Sequence, residues 1–151
     1  MIFFTRTLYE GFQPDSGWER KAMREWQRRS KAYNECLKII TPLLPVTVRR
    51  FCRQDLHDCK VAKAVFGKNF VRFVLDAKHA FNLPPSRYEL TFRGVSNVRG
   101  SRQLSGKWWL YDEFHLSSSS PFCFHVMFDK GEIEIDAAEV NFQKMEKSQR
   151  L

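Results

Sequence analysis

The chain has 151 residues, 43% hydrophobic and 15% aromatic, with a formal net charge of +8. A chain of this length and apolar content buries enough surface to fold without disulfides, which excludes global disorder. The opening apolar run, Ile2-Phe3-Phe4, is broken by Arg6 and falls far short of a signal peptide or a membrane span, so a soluble cytosolic protein with no membrane partner is expected.

The first element is a short β-like opening, Ile2 to Thr7. Gly11 and Pro14 follow, then a helix start with Ser16 as N-cap and Glu19 three residues later, the pattern of a capping box. Trp18, Ala22, Trp26, Arg29, Tyr33, Leu37 and Ile40 recur at spacings of three and four, which predicts a long amphipathic helix over about 16–41, ended by Pro42. A second short helix is expected over Val46 to Arg53, with Val48, Phe51 and Cys52 facing inward.

After Asp55 the period changes from that of a helix to that of a strand. Cys59 to Phe66 and Asn69 to Asp76 flank Gly67-Lys68, read as a two-residue hairpin turn. Arg87 to Val95 is the next strand, and Gly100 to Gly106 a loop. Trp108 to Leu116, Phe122 to Phe128, Glu132 to Ala137 and Glu139 to Gln143 complete the pattern, with turns at Ser117 to Pro121 and at Asp129-Lys130-Gly131. The expectation is one α+β domain over 1–151: a mainly helical part (1–55), whose long N-terminal helix packs on a C-terminal antiparallel meander of five to seven strands (56–144), and a polar tail (145–151).

Phe4-Thr5-Arg6 with Leu8-Tyr9, Leu56-His57-Asp58, the block Trp108-Trp109-Leu110-Tyr111-Asp112-Glu113, and Phe124-His125-Val126 closing on Gly131-Glu132-Ile133-Glu134-Ile135 are similar in order and spacing to a bacterial family of unknown function from Bacillus and relatives. The resemblance spans most of the chain; it implies a fold and a bacterial origin and implies no chemistry. The Leu-His-Asp segment also resembles that of small immunity-type proteins, which neutralise a toxin by binding it.

Two clusters of reactive side chains are conceivable. Cys52, His57 and Cys59 with Cys123 and His125 have metal-ligand chemistry, but no Cys-x-x-Cys knuckle is present, so free core cysteines and no metal are expected. If the serine turn is centred on Ser120, His115 faces His125 with Glu113 beside them, and either Asp136 or Ile135 opposes His125 in the next hairpin. Together with His57 and Asp58 these make a polar patch. The plainer account is the solvated outer face of a sheet whose inner face carries Trp108, Leu110, Phe114, Leu116, Phe122, Phe124, Val126 and Phe128, broken mainly by Asp112. No nucleophile elbow, phosphate loop or dinucleotide fingerprint occurs, so no catalytic residue and no cofactor are assigned.

The charge is uneven. Between Glu19 and Arg53 ten Lys or Arg stand against three acids, whereas from Ser101 onward eight acids outnumber six basic residues. Arg20, Lys21, Arg24, Arg28 and Lys31 fall mostly on the helix side away from the apolar stripe, and with Arg49, Arg50 and Arg53 they form a positive surface. The leading expectation is a protein-binding module, in its most concrete form an immunity-type inhibitor of a toxin. Nucleic-acid binding by the basic surface is the alternative, and a metal-assisted hydrolase at His115 and His125 the third.

Overall fold

The computed structural model describes residues 1–146. The backbone falls into two compact units, Met1–Leu43 and the chain from Leu44 onward. No helix among the described residues is long and apolar enough to cross a membrane. The architecture is α+β, with one long helix and two antiparallel sheets of four strands each.

In the first unit the expected β-like opening is a helix, α1 (Arg6–Gly11). Thr5 caps it, its Oγ1 accepting from the Leu8 N–H at 3.3 Å. A lone strand has no ladder partner here, whereas a capped turn satisfies its own backbone donors. Phe3 and Phe4 pack on the long helix α2 (Glu19–Ile40), with ring centroids 5.4 Å from Tyr33 and 4.7 Å from Trp26 respectively, and Phe12 adds a contact to Trp26 at 5.1 Å. The stripe behaves as its spacing demands: Ala22, Tyr33 and Ile40 are buried. Arg29 belongs to it because its guanidinium reaches the Phe3 carbonyl at 3.2 Å.

The capping box does not form. Gly17 takes a left-handed φ of 70°, so Ser16 closes a 3-10 turn (Pro14–Ser16) and donates its hydroxyl to the Gly11 carbonyl at 2.7 Å. The helix therefore starts later, at Glu19, and Trp18 stands outside the core, 58% exposed.

In the second unit α3 (Val46–Phe51) buries Val48 and Phe51, while Cys52 beyond its end is half-buried. Among the described residues eight strands follow, rather than five to seven. One sheet has the order β1 (Lys60–Phe66), β2 (Phe70–Asp76), β3 (Arg87–Arg93), β8 (Glu139–Lys144), and the other β4 (Asn97–Gly100), β7 (Glu132–Ala137), β6 (Phe122–Phe128), β5 (Trp109–His115). The first hairpin turns one residue later than expected: Gly67 donates to the Phe70 carbonyl at 2.9 Å, so Lys68-Asn69 make the turn. The Phe70 ring lies over Gly67, where a Cβ would sit 2.0 Å from it, so the glycine serves the hairpin by its missing side chain.

The two sheets are one ladder bent at two corners. β3 runs on into β4 and β7 into β8, pivoting where Gly94 (φ 60°) meets Ala138. At the other corner residues 58–61 pair with 107–109, Trp109 donating to the Cys59 carbonyl at 2.8 Å and Val61 to the Lys107 carbonyl at 2.8 Å. The interior is aromatic: Phe73 and Trp109 meet at 5.8 Å, Phe92 and Phe124 at 5.0 Å. Phe51 of α3 plugs one end, lying 5.8 Å from Phe114 and 5.6 Å from Phe142.

A bulge between Trp109 and Tyr111 corrects the expected inward set. It turns Trp109, not Trp108, into the core and leaves Trp108 half-buried, while Leu116 is exposed at the strand's end. Of the polar tail, 147–151 lie outside the described residues.

Candidate functional site

The second sheet carries its reactive side chains on one face, in two rows set by strand register. One row reads Arg99, Glu134, His125, Glu113 across β4, β7, β6 and β5; the other reads Asn97, Asp136, Cys123, His115. Neither expected pairing of the histidines holds. The serine turn is centred on Ser119, which sets Glu113 opposite His125 and Cys123 opposite His115, and Glu134 rather than Asp136 or Ile135 faces His125. Each shift of one residue in a turn changes every cross-strand partner beyond it.

The polar groups of the two rows pair mainly across from one row to the other, and with Glu132 beside them. Arg99 donates to Asp136 at 2.7 Å and also to Glu134, and it lies 3.9 Å from the Cys123 sulfur. Cys123 donates to Glu134 at 3.4 Å. His115 Nε2 is 2.7 Å from the Glu113 carboxylate, and His125 Nε2 is 3.1 Å from that of Glu132. The face is not solvated as expected: Glu113 and Asp136 are buried, with His115 and His125 largely so. Carboxylates leave water at tolerable cost only when a donor meets them, and here each has one.

These neighbours also set the protonation states. The Arg99 guanidinium holds the Asp136 carboxyl below its usual range, and burial, which acts the other way on Glu134, is outweighed there by Arg99 and Cys123. Burial pushes the Cys123 thiol up, reinforced by the Glu134 charge, and burial lowers His125 against the pull of Glu134 and Glu132. A neutral thiol among carboxylates is the reverse of what nucleophilic catalysis needs. Cys59, fully buried, is pushed up by burial to about 12.

His57 and Asp58 stand apart from the rows, at the β1–β5 corner. His57 Nδ1 donates to the Leu110 carbonyl at 2.6 Å and its ring leans on Tyr111 at 5.1 Å, while Asp58 adopts a φ of 64°. Cys52 keeps its thiol on the Arg49 carbonyl at 3.3 Å. Among the described residues no group of three or more His, Cys, Asp or Glu has the geometry to hold a metal.

Of the basic residues, Arg20, Lys21, Arg24, Arg28 and Lys31 are exposed on α2. Glu25 takes Arg28 at 2.6 Å and Arg29 at 2.7 Å, and Lys21 lies 4.8 Å over the Trp18 ring. Arg20, Arg24 and Lys31 have no ion-pair partner among the described residues. In the second unit Arg50 and Arg53 are exposed, and Arg49 donates to the Leu44 carbonyl at 3.0 Å.

Arg99, Glu132 and Glu134 escaped the sequence reading. The alternation Glu132, Glu134, Asp136 already places three acids on one face, but nothing local announces that Arg99 meets them.

A family model described as a protein of unknown function (DUF4085) matches residues 13–137. No curated protein matches the chain.

Proposed function

The chain belongs to this family, and we propose that it is a non-enzymatic, cytosolic binding module that engages an acidic protein partner through the basic face of α2. The observation that carries the reading is the set Arg20, Arg24 and Lys31, exposed and without ion-pair partners among the described residues. At i, i+4 and i+11 these side chains fall within roughly 40° of one another around a helix of 3.6 residues per turn. Unneutralised like charges held on one rigid face repel each other and are relieved by an acidic surface, which steers association. The His, Cys and carboxylate groups, in contrast, are occupied with one another and hold a protonated thiol, which favours binding over catalysis. An immunity-type inhibitor of a toxin is the most concrete form of this function.

The same face is chemically suited to phosphates, and the test separates the two. Tagged wild-type chain and an Arg20→Glu, Arg24→Glu, Lys31→Glu variant are recovered from the source cells with and without nuclease treatment, and bound components are identified. The reading expects a protein partner that survives nuclease and is lost from the variant. Partners released by nuclease, with salt-steep binding of duplex or single-stranded nucleic acid, support the nucleic-acid alternative. A partner set unchanged by charge reversal overturns both.

A further inference from the structure

Of the fourteen phenylalanines, Phe81 alone is exposed among the described residues, at 91%. It lies in the loop over 77–86, between β2 and β3. That loop is fixed from several sides: the Ala77 N–H donates to the Ser86 carbonyl at 2.9 Å, Asn82 Nδ2 donates to the Asp55 carboxylate at 2.5 Å, and Leu83 is buried. A lone apolar side chain in water is ordinary, but one whose next two neighbours are pinned is held out as a knob. Lys78 and His79 stand just before it, and the loop contains no acidic residue.

The same chain carries a hole of matching character. Within the first unit a cavity of about 470 Å³ is lined by Leu8 and Ala22, both buried, and by the largely exposed Trp18 indole. Four charged residues also line it, and three of them are engaged: Glu25 takes Arg28 and Arg29, and Lys21 lies over the Trp18 ring. The fourth, Glu10, has no ion-pair partner among the described residues. An apolar hollow with an aromatic wall and one open carboxylate suits a ring carried beside a cation. Phe81 with Lys78 is such a group, and we propose that it occupies this cavity in a second copy of the chain. Phe81 of one copy inserts against Leu8 and Trp18 of the other, while Lys78 meets Glu10. The contact is heterologous, knob to hole, so each copy offers both halves of it. Arg20, Arg24 and Lys31 lie roughly opposite Ala22 around α2, away from the cavity, and stay free for the partner proposed above.

Sedimentation velocity on the full chain, over a concentration series reaching on the order of 1 mM, provides the test. Wild type is expected to self-associate with a dissociation constant on the order of 10 µM to 1 mM, as a small contact does. Phe81→Ser removes the knob at an exposed position, and Thr7→Trp fills the hole from its exposed rim. Each variant alone is expected to associate about tenfold or more weakly, the loss for one ring no longer buried. Mixed in equal amounts they restore one complete contact, because Phe81→Ser keeps the hole and Thr7→Trp keeps the knob, and a one-to-one dimer is expected. Wild type that stays monomeric throughout, association that survives both single substitutions, or a mixture that forms no dimer would overturn the proposal. The Arg20→Glu, Arg24→Glu, Lys31→Glu variant is expected to associate as wild type does; its failure to do so would put the contact on the basic face and overturn the proposal as well.

Discussion

Asp112 stands on the inward face of β5, where the alternation of apolar residues is broken, and accepts the Trp109 indole N–H at 2.8 Å. Burial raises its carboxyl to about 7 although the indole bond acts to lower it. A folded-state value above the unfolded one means that the group's stabilising contribution is complete below the ordinary 3.8 and is lost as pH rises through about 7. Asp112→Asn keeps the acceptor and removes the titration. In urea unfolding from pH 4 to 8, the stability of wild type relative to this variant is expected to fall by a few kcal/mol, at about 1.4 kcal/mol per pKa unit; a flat difference would show that the folded protein holds Asp112 ionised. Gly94 makes a second prediction at this scale. Its φ of 60° and a Cβ position 2.7 Å from that of Ala138 penalise Gly94→Ala twice. The variant is expected to lose about 2 kcal/mol, and Ala138→Gly to return only the steric part, the left-handed backbone cost of about 1 kcal/mol persisting in the double mutant. The break at Asp112 was legible in the sequence as an exception, but its indole partner was not, because the bulge that brings Trp109 inward depends on pairing with β6.

Among the elements, β4 shows how a short strand becomes decisive. It has four residues, too few for a period to register beside Gly94 and Gly100, yet it delivers Arg99 to Glu134 and Asp136. Arg99→Ala would leave the buried Asp136 carboxylate without its cation, and a loss of about 2–3 kcal/mol is expected. Because Arg99 depresses the Asp136 pKa, this stabilisation is present above the ordinary 3.8 and lost as pH falls below it. The gap between wild type and Arg99→Ala should therefore narrow in acid, measured by denaturant titration at pH 7 and pH 3. The short helix α3 is the converse case, since its inward Val48 and Phe51 were readable from spacing alone. Phe51 meets three further phenylalanines, Phe114, Phe124 and Phe142, and Phe51→Ala is expected to cost about 3–5 kcal/mol by opening a cavity at that end of the aromatic interior, seen as a fall in unfolding midpoint.

For the molecule as a whole, the excess of positive charge lies between Glu19 and Arg53, and the β-rich unit carries the mildly acidic end. Binding of an acidic partner by α2 is therefore expected to weaken steeply as salt rises from low to physiological strength, because exposed charges are screened beyond about 8–10 Å. The unfolding midpoint should change little over the same series, since the aromatic interior and the buried charge pairs beside it are screened far less than exposed charges. Affinity that does not vary with salt would argue that the basic face takes no part. What the sequence determined by itself is what local chemistry can dictate: the long amphipathic helix, the change of period after Asp55, most strand positions, and the charge asymmetry. Each depends on residues only a few positions apart. The tertiary structure alone decided the two corners that close the ladder, the bulge at Leu110, the turn centred on Ser119, and with them the partners of His115, His125 and Cys123. Those follow from which strands hydrogen-bond and in what register, and register is chosen by the summed packing of distant segments, not by any one stretch of the chain.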